Sequence, residues 1–172
     1  MKPIEPDRVK LFIGILHSEA KLLGKAVQLI EEKFGEIDYS SPDFSFNVSD
    51  YYKGEMGGTI FRKFISFTNL IGPCELVKIK IKTNEIEDLV AVNGKRKVNL
   101  DPGYMDFNKV ILASAKYNGQ KIYLDLGIYA DPTLCFEKGT FNSYPYSFPD
   151  FKTGEYNETF LQIRALYKTG RK

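Results

Sequence analysis

The chain has 172 residues, of which 43% are hydrophobic, 27% charged and 14% aromatic, with no Trp. Its 24 Lys and Arg nearly balance its 22 Asp and Glu, leaving a formal net charge of +2. That length fits one globular domain over residues 1–172 whose core needs no disulfide or metal. The composition excludes disordered, collagen-like and coiled-coil chains, and so small a charge argues against a nucleic-acid partner.

The apolar stretch Leu11 to Leu16 is too short for a signal peptide or a membrane span, so a cytoplasmic protein with no membrane partner is expected. Val9 to Leu16 reads as a buried strand. Ser18 is placed to cap the helix that follows. There Leu22, Leu23, Ala26, Val27, Ile30 and Phe34 recur at spacings of three and four until Gly35 stops it. Glu36 to Tyr39 starts a strand, Ser40 to Asp43 interrupts it, and Phe44 to Val48 resumes it. Tyr51 to Gly58 reads as a loop, and Thr59 to Phe67 as a strand.

Gly72-Pro73 opens a helix. The next stretch serves two periods at once. Val77 to Lys82 alternates like a strand, while Leu76, Ile79, Thr83, Ile86 and Val90 share one helical face. Length favours a helix from Pro73 to about Val92, ended by Asn93-Gly94. Val98 to Leu100 is then a short strand running into an Asp101-Pro102-Gly103 turn. Asn108 to Lys116 reads as strand, with a helical turn at Val110 to Ala113 as the alternative. Tyr117 to Gln120 has hairpin chemistry. Lys121 to Ala130 and Thr133 to Phe141 are two further strands. Ser143 to Phe151 is an aromatic loop, and Tyr156, Phe160, Ile163 and Tyr167 share one face of a C-terminal helix.

The first hundred residues thus run strand, helix, strand, strand, helix, strand. This is the order of a split βαβ, or ferredoxin-like, core. An antiparallel meander and a C-terminal helix are added to it, and the expected class is α+β.

Few motifs carry chemistry. A phosphate loop needs Gly, four residues, then Gly-Lys-Ser/Thr. Gly24-Lys25 and Gly94-Lys95 meet neither requirement. Phe64 to Phe67 matches half of the stacking strand of an RNA-recognition module. Core packing explains those phenylalanines better. Cys74 and Cys135 belong to no metal-ligand spacing, so no metal site is assigned, and they read as reduced thiols. The sole histidine, His17, follows the first strand and reads as a capping or surface residue before a base. Abundant Lys and Glu with no Trp fit a thermophile's surface.

The carboxylates say more. Asp50 and Glu55 flank a Tyr pair. Asn99 and Asp101, two apart, point to one face if the strand continues through them. We therefore expect Asn99 and Asp101 beside Glu85 and the Asp50–Glu55 loop, with Tyr104 at the rim, in a pocket for a small molecule. The competing expectation is that Asp101 merely builds its turn.

Three stretches carry a resemblance: Asp50 to Gly57, Asn99 to Tyr104, and Gly127 to Ala130. Together they resemble the uncharacterised prokaryotic family called domain of unknown function 4416, over about Val9 to Tyr167. The resemblance implies a small soluble prokaryotic protein and brings no known catalytic residue or cofactor. Some members carry a GTP-binding label. The residues here give it no support, because the phosphate loop is missing and Asn108-Lys109 continues as Val110-Ile111, not as a guanine motif.

Two readings of function stand. One is a ligand-binding or enzymatic domain built on the carboxylate and tyrosine pocket, with its cofactor unknown. The other is a regulatory or protein-interaction module presenting its sheet or aromatic loop. Convergence of the polar residues in a cavity favours the first. A contiguous exposed apolar patch favours the second. No motif speaks to oligomeric state.

Overall fold

A computed structural model describes residues 1–48 and 52–170, apart from the side chains of Lys53 and Glu55. The class is α+β, with a mostly antiparallel sheet and three substantial helices. In chain order β1 is Val9–His17, α1 Ala20–Phe34, β2 Ile37–Ser40 and β3 Phe44–Ser45. The short α2 is Lys53–Met56, β4 Phe61–Ile71, and a single 3-10 turn at Pro73–Glu75 leads into α3, Leu76–Leu89. Then come β5 Val98–Met105, β6 Lys109–Ser114, β7 Ile122–Asp125, β8 Ile128–Glu137 and β9 Thr140–Ser143. The short α4, Pro149–Lys152, and α5, Asn157–Gly170, close the chain.

The strands form one sheet in the order β2-β4-β1-β5-β6-β8-β7, with β3 beside β4 and β9 beside β8. β1 is central and wholly buried because both its faces are covered. That accounts for its unbroken apolar sequence, since alternation would leave one face polar. One face carries Leu11, Ile13 and Ile15 under α1 and α3, against Ala26, Ile30, Ile79 and Ile86. The other carries Phe12 and, from β4, Phe64 under α5. Phe64 meets Tyr156 at 4.8 Å and Phe160 at 5.2 Å between ring centroids. Phe64, Phe67 and Phe160 are fully buried, each a transfer of about 1.5–3 kcal/mol, so Phe64 and Phe67 are core residues and not stacking platforms.

The helix over Val77 to Lys82 is observed, starting at Pro73 as expected. Glu75 reaches back to accept from the Gly72 N–H at 2.6 Å and fixes that start. The face of α5 is also as expected, with Phe160, Ile163 and Tyr167 buried.

Seven local expectations are corrected. Ser18 does not cap α1: the N-cap is Glu19, and the Ser18 hydroxyl donates to the Met56 carbonyl at 3.0 Å. Phe44 to Val48 pairs only at Phe44–Ser45, and β4 begins at Phe61 but runs on to Ile71. Asp101-Pro102-Gly103 is no turn, because β5 passes straight through it. The segment 117–120 turns the chain but joins no hairpin, since β6 and β7 both pair with β8. Lys121 to Ala130 and Thr133 to Phe141 are each broken by a two-residue turn, at Leu126-Gly127 (φ 50° and 76°) and Lys138-Gly139 (φ 51° and 86°). Those turns have the left-handed geometry of tight hairpins, but Leu and Lys are poor signals for it, so the breaks were hidden.

Candidate functional site

The site begins with a proline. β5 pairs with β1 over its whole length, but with β6 only over Gly103, Tyr104 and Met105. In an antiparallel strand, alternate residues direct both backbone groups to the same neighbour. Leu100 directs its pair away from β1, toward side chains of α3. Two residues on, Pro102 faces the same way, toward β6. It has no N–H to exchange, and the ladder ends there.

Beyond Pro102 the two strands diverge and α3 fills part of the gap. Glu87 Oε1 accepts from the Leu100 N–H at 2.7 Å, and Lys80 Nζ donates to the Leu100 carbonyl at 2.8 Å. Two helix side chains thus replace a strand neighbour and satisfy a buried peptide. Leu76, Lys80, Thr83 and Glu87 make one buried stripe along α3, at spacings of four, three and four.

The divergence leaves a cleft of about 570 Å³. α3 contributes Lys80, Asn84 and Glu87, β4 contributes Arg62, and β5 contributes Asn99 and Asp101. Across the gap stand Ser114 and Asp131, while Tyr52, Phe148 and Phe151 add aromatic surface.

Arg62, 3% exposed, organises the charges. Its Nη1 donates to Asp101 Oδ2 at 2.9 Å, and its Nη2 stands 3.3 Å from Asp150 Oδ2. The guanidinium lies 5.3 Å from the Phe46 ring centre and 6.0 Å from that of Phe151. Tyr156 donates its hydroxyl to Asp150 at 3.1 Å. Burial would loosen the guanidinium's proton, but Asp150 and Asp101 outweigh it and push the pKa above the usual range. Burial would likewise raise Asp101, yet Arg62 and Lys80 hold its carboxyl below the ordinary value. For Asp150 and Glu87 burial prevails, and both carboxyls are pushed up. Glu87 is also held by Arg96, whose Nη1 lies 3.1 Å from Oε2 and donates to Asn99 Oδ1 at 3.2 Å. Among the described residues, three buried polar atoms here have no hydrogen-bond partner: Arg62 Nε, Asn99 Nδ2 and Asp150 Oδ1.

Of the residues expected from sequence, Asn99 and Asp101 do meet in this cleft, on one face of a continuous strand. Asp101 is 24% exposed in its side chain and ion-paired, not engaged in a turn. Glu85 is elsewhere. Two residues along a helix from Glu87 is a rotation of about 200°, and Glu85 pairs with Lys82 at 2.8 Å on the outer surface. It borders a separate groove between α1 and α3. Tyr104, an odd number of residues from Asp101, is on the opposite face of β5, beside Pro73 and Asp106. Asp50 lies outside the described residues. Glu55 belongs to α2 by its backbone, and its side chain lies outside them.

Sequence reasoning missed Arg62, Lys80, Glu87 and Arg96. A signal existed for three of them: Arg62 interrupts an aromatic strand, and Lys80 and Glu87 fall on the apolar stripe of a helix. His17 ends β1, buried, with Nε2 3.5 Å from Asp43 Oδ1. Both cysteines are free thiols. Among the described residues, no three His, Cys, Asp or Glu side chains are grouped to hold a metal ion, and no helix is long and apolar enough to cross a membrane.

Compared with known proteins, the chain matches one family over residues 7–167, described as Domain of unknown function (DUF4416). No curated protein and no solved structure matches it.

Proposed function

The chain belongs to the DUF4416 family, and we propose that it binds a small polar molecule in the cleft between β5 and β6. One observation carries this reading: the cleft is walled by buried charges that pair with one another where apolar side chains would serve a core better. Buried ion pairs seldom stabilise a fold more than apolar residues of equal volume, so their retention favours a recognition role. The cleft volume of about 570 Å³ falls within the range of small-molecule sites. If the bound molecule is turned over, Glu87, pushed up, and Asp101, held down, suit a proton donor and a proton acceptor.

The scaffold reading is a split βαβ, ferredoxin-like core of β1, α1, β2, β4, α3 and β5. The order β2-β4-β1-β5, antiparallel at each pairing, supports it, as does the packing of α1 and α3 on one face.

The test is a thermal-shift screen of small acids, amines and nucleotides on the full chain and on Asp101→Asn. A native-state ligand raises the midpoint by mass action. Compounds that bind in the cleft should stabilise the parent and a folded Asp101→Asn to different extents, amines less and acids more once that negative charge is removed. Equal stabilisation of both proteins overturns the cleft as the site.

A second reading rests on β7. This edge strand is exposed at all four positions, and Tyr117, Ile122, Tyr123, Leu124 and Leu126 form a run of exposed apolar side chains around it. Such an edge suits a protein-interaction module that accepts a partner there. Sedimentation of the parent and of Ile122→Lys distinguishes self-association at this edge from a monomer.

A further inference from the structure

The hydrogen-bond inventory of the cleft says what chemistry would complete it. Asn99 is 5% exposed and borders the cleft. Its amide has a fixed orientation, because Arg96 can only donate and therefore takes the oxygen. Nδ2 is left as a buried donor without an acceptor among the described residues. Asn99 helps hold the neighbouring Asp101 carboxyl down, but from outside hydrogen-bonding geometry. Lys80, 7% exposed, has donor capacity to spare as well. An ammonium carries three hydrogens. One goes to the Leu100 carbonyl, and among the described residues the nearest carboxylate oxygen, of Glu87, stands 3.9 Å away. Arg62 Nε, also on the cleft, is a third unfilled donor. Among the described residues that border the cleft, the fully buried side-chain atoms with no partner, Asn99 Nδ2 and Arg62 Nε, are thus both donors. Asp150 Oδ1, a fully buried acceptor with no partner among the described residues, belongs to a residue that does not border the cleft. Leaving a buried donor unmet is costly, so a ligand that supplies acceptors gains in proportion.

Charge narrows the class. Among the described residues that border the cleft, five side chains are cationic and four are carboxylates, and Asp150 behind them also pairs with Arg62. That near balance suits a ligand of low charge, a monoanion before a phosphate dianion. The aromatic surface of Phe148 and Phe151 offers an apolar body somewhere to lie. We infer that the molecule bound in this cleft is a small carboxylic acid, whose carboxylate accepts hydrogen bonds from Asn99 Nδ2 and Lys80 Nζ. This rests on the cleft being a binding site and specifies what enters it.

The experiment follows amide and side-chain resonances of the full chain while benzoate, benzamide and inorganic phosphate are titrated in turn. Benzoate should move the Asn99 side-chain amide signal, and benzamide, of the same shape without charge, should bind about tenfold more weakly or worse. Asn99→Asp keeps the oxygen that Arg96 needs and replaces the donor by a second acceptor. It should lose benzoate affinity by at least about tenfold, because a charge-assisted bond becomes a repulsion. If that variant does not fold, Asn99→Leu gives the same comparison at similar volume. Benzamide binding as tightly as benzoate, or unchanged benzoate affinity in a folded Asn99 variant, overturns the carboxylate assignment while leaving the cleft as a site. Phosphate binding more tightly than benzoate overturns the choice of carboxylate alone. No movement of cleft signals with any of these probes, nor with the screened compounds, overturns both readings.

Discussion

Gly103 is the first residue of β5 to pair with β6, and its missing side chain is what lets them approach. A Cβ there would stand 2.5 Å from the Ile111 carbonyl oxygen, 2.6 Å from Phe12 Cζ and 3.0 Å from Leu112 Cδ2. The first is a backbone atom of the ladder and cannot rotate away. The second belongs to a fully buried ring packed edge-on against Phe160 at 5.4 Å. Overpacking of this kind costs about 1–3 kcal/mol, and two immovable neighbours place Gly103→Ala at the upper end. The lower unfolded-state entropy of Ala returns about 0.5–1 kcal/mol. The net loss is about 2 kcal/mol. With a urea slope of about 2 kcal/mol/M, the midpoint should fall by about 1 M at constant slope. Gly24→Ala is the internal control. Gly24 is exposed within α1, and nothing lies within 4 Å of its Cβ position. Helix propensity alone then predicts a gain of about 1 kcal/mol and a midpoint raised by about 0.5 M. An unchanged midpoint for Gly103→Ala would refute the close approach as the reason for glycine at that position.

Arg62→Met should destabilise by about 3–5 kcal/mol at pH 7, because it leaves Asp101 and Asp150 buried without their cation. Both carboxyls then bind protons more tightly folded than unfolded, so the deficit should shrink between pH 7 and pH 5, and urea midpoints at both values measure it. In the parent, the depressed Asp101 carboxyl contributes stability above its unfolded pKa and loses it as pH falls through its folded value. The stability difference between the parent and Asp101→Asn should therefore close at acid pH, below about pH 4, as read from thermal midpoints. Tyr167→Phe removes only the hydroxyl that donates to the Arg8 carbonyl at 2.9 Å, and should cost about 1 kcal/mol by urea denaturation.

What the sequence disclosed divides along physical lines. The three long helices were legible because each buries a stripe at a steady helical period, and α3 was recovered even where six of its residues alternate like a strand. Asn99 and Asp101 were legible as a pair because spacing by two fixes a shared face whatever the strand pairs with. Glu85 was misplaced because helical phase is less forgiving: Glu87, two residues on, is the one that turns inward. The Asp101-Pro102-Gly103 strand was hidden because its residues carry strong turn signals, which β1 overrides by pairing along all of β5. Arg62 and Lys80 were passed over because a charge among apolar residues usually reads as a solvated position. Only their partners across the fold, Asp101, Asp150 and the Leu100 peptide, reveal otherwise.

Pro102 acts as the stop on a zipper. From the Gly103–Leu112 rung, the next pair of the ladder would join residue 102 to Ala113, and an ordinary residue there could close it for a gain of about 1 kcal/mol. Each further rung would draw β6 toward Leu100 and displace Lys80 and Glu87 from the peptide they hold. The missing N–H of Pro102 and the two α3 side chains on Leu100 thus both favour the open cleft over a continuous sheet.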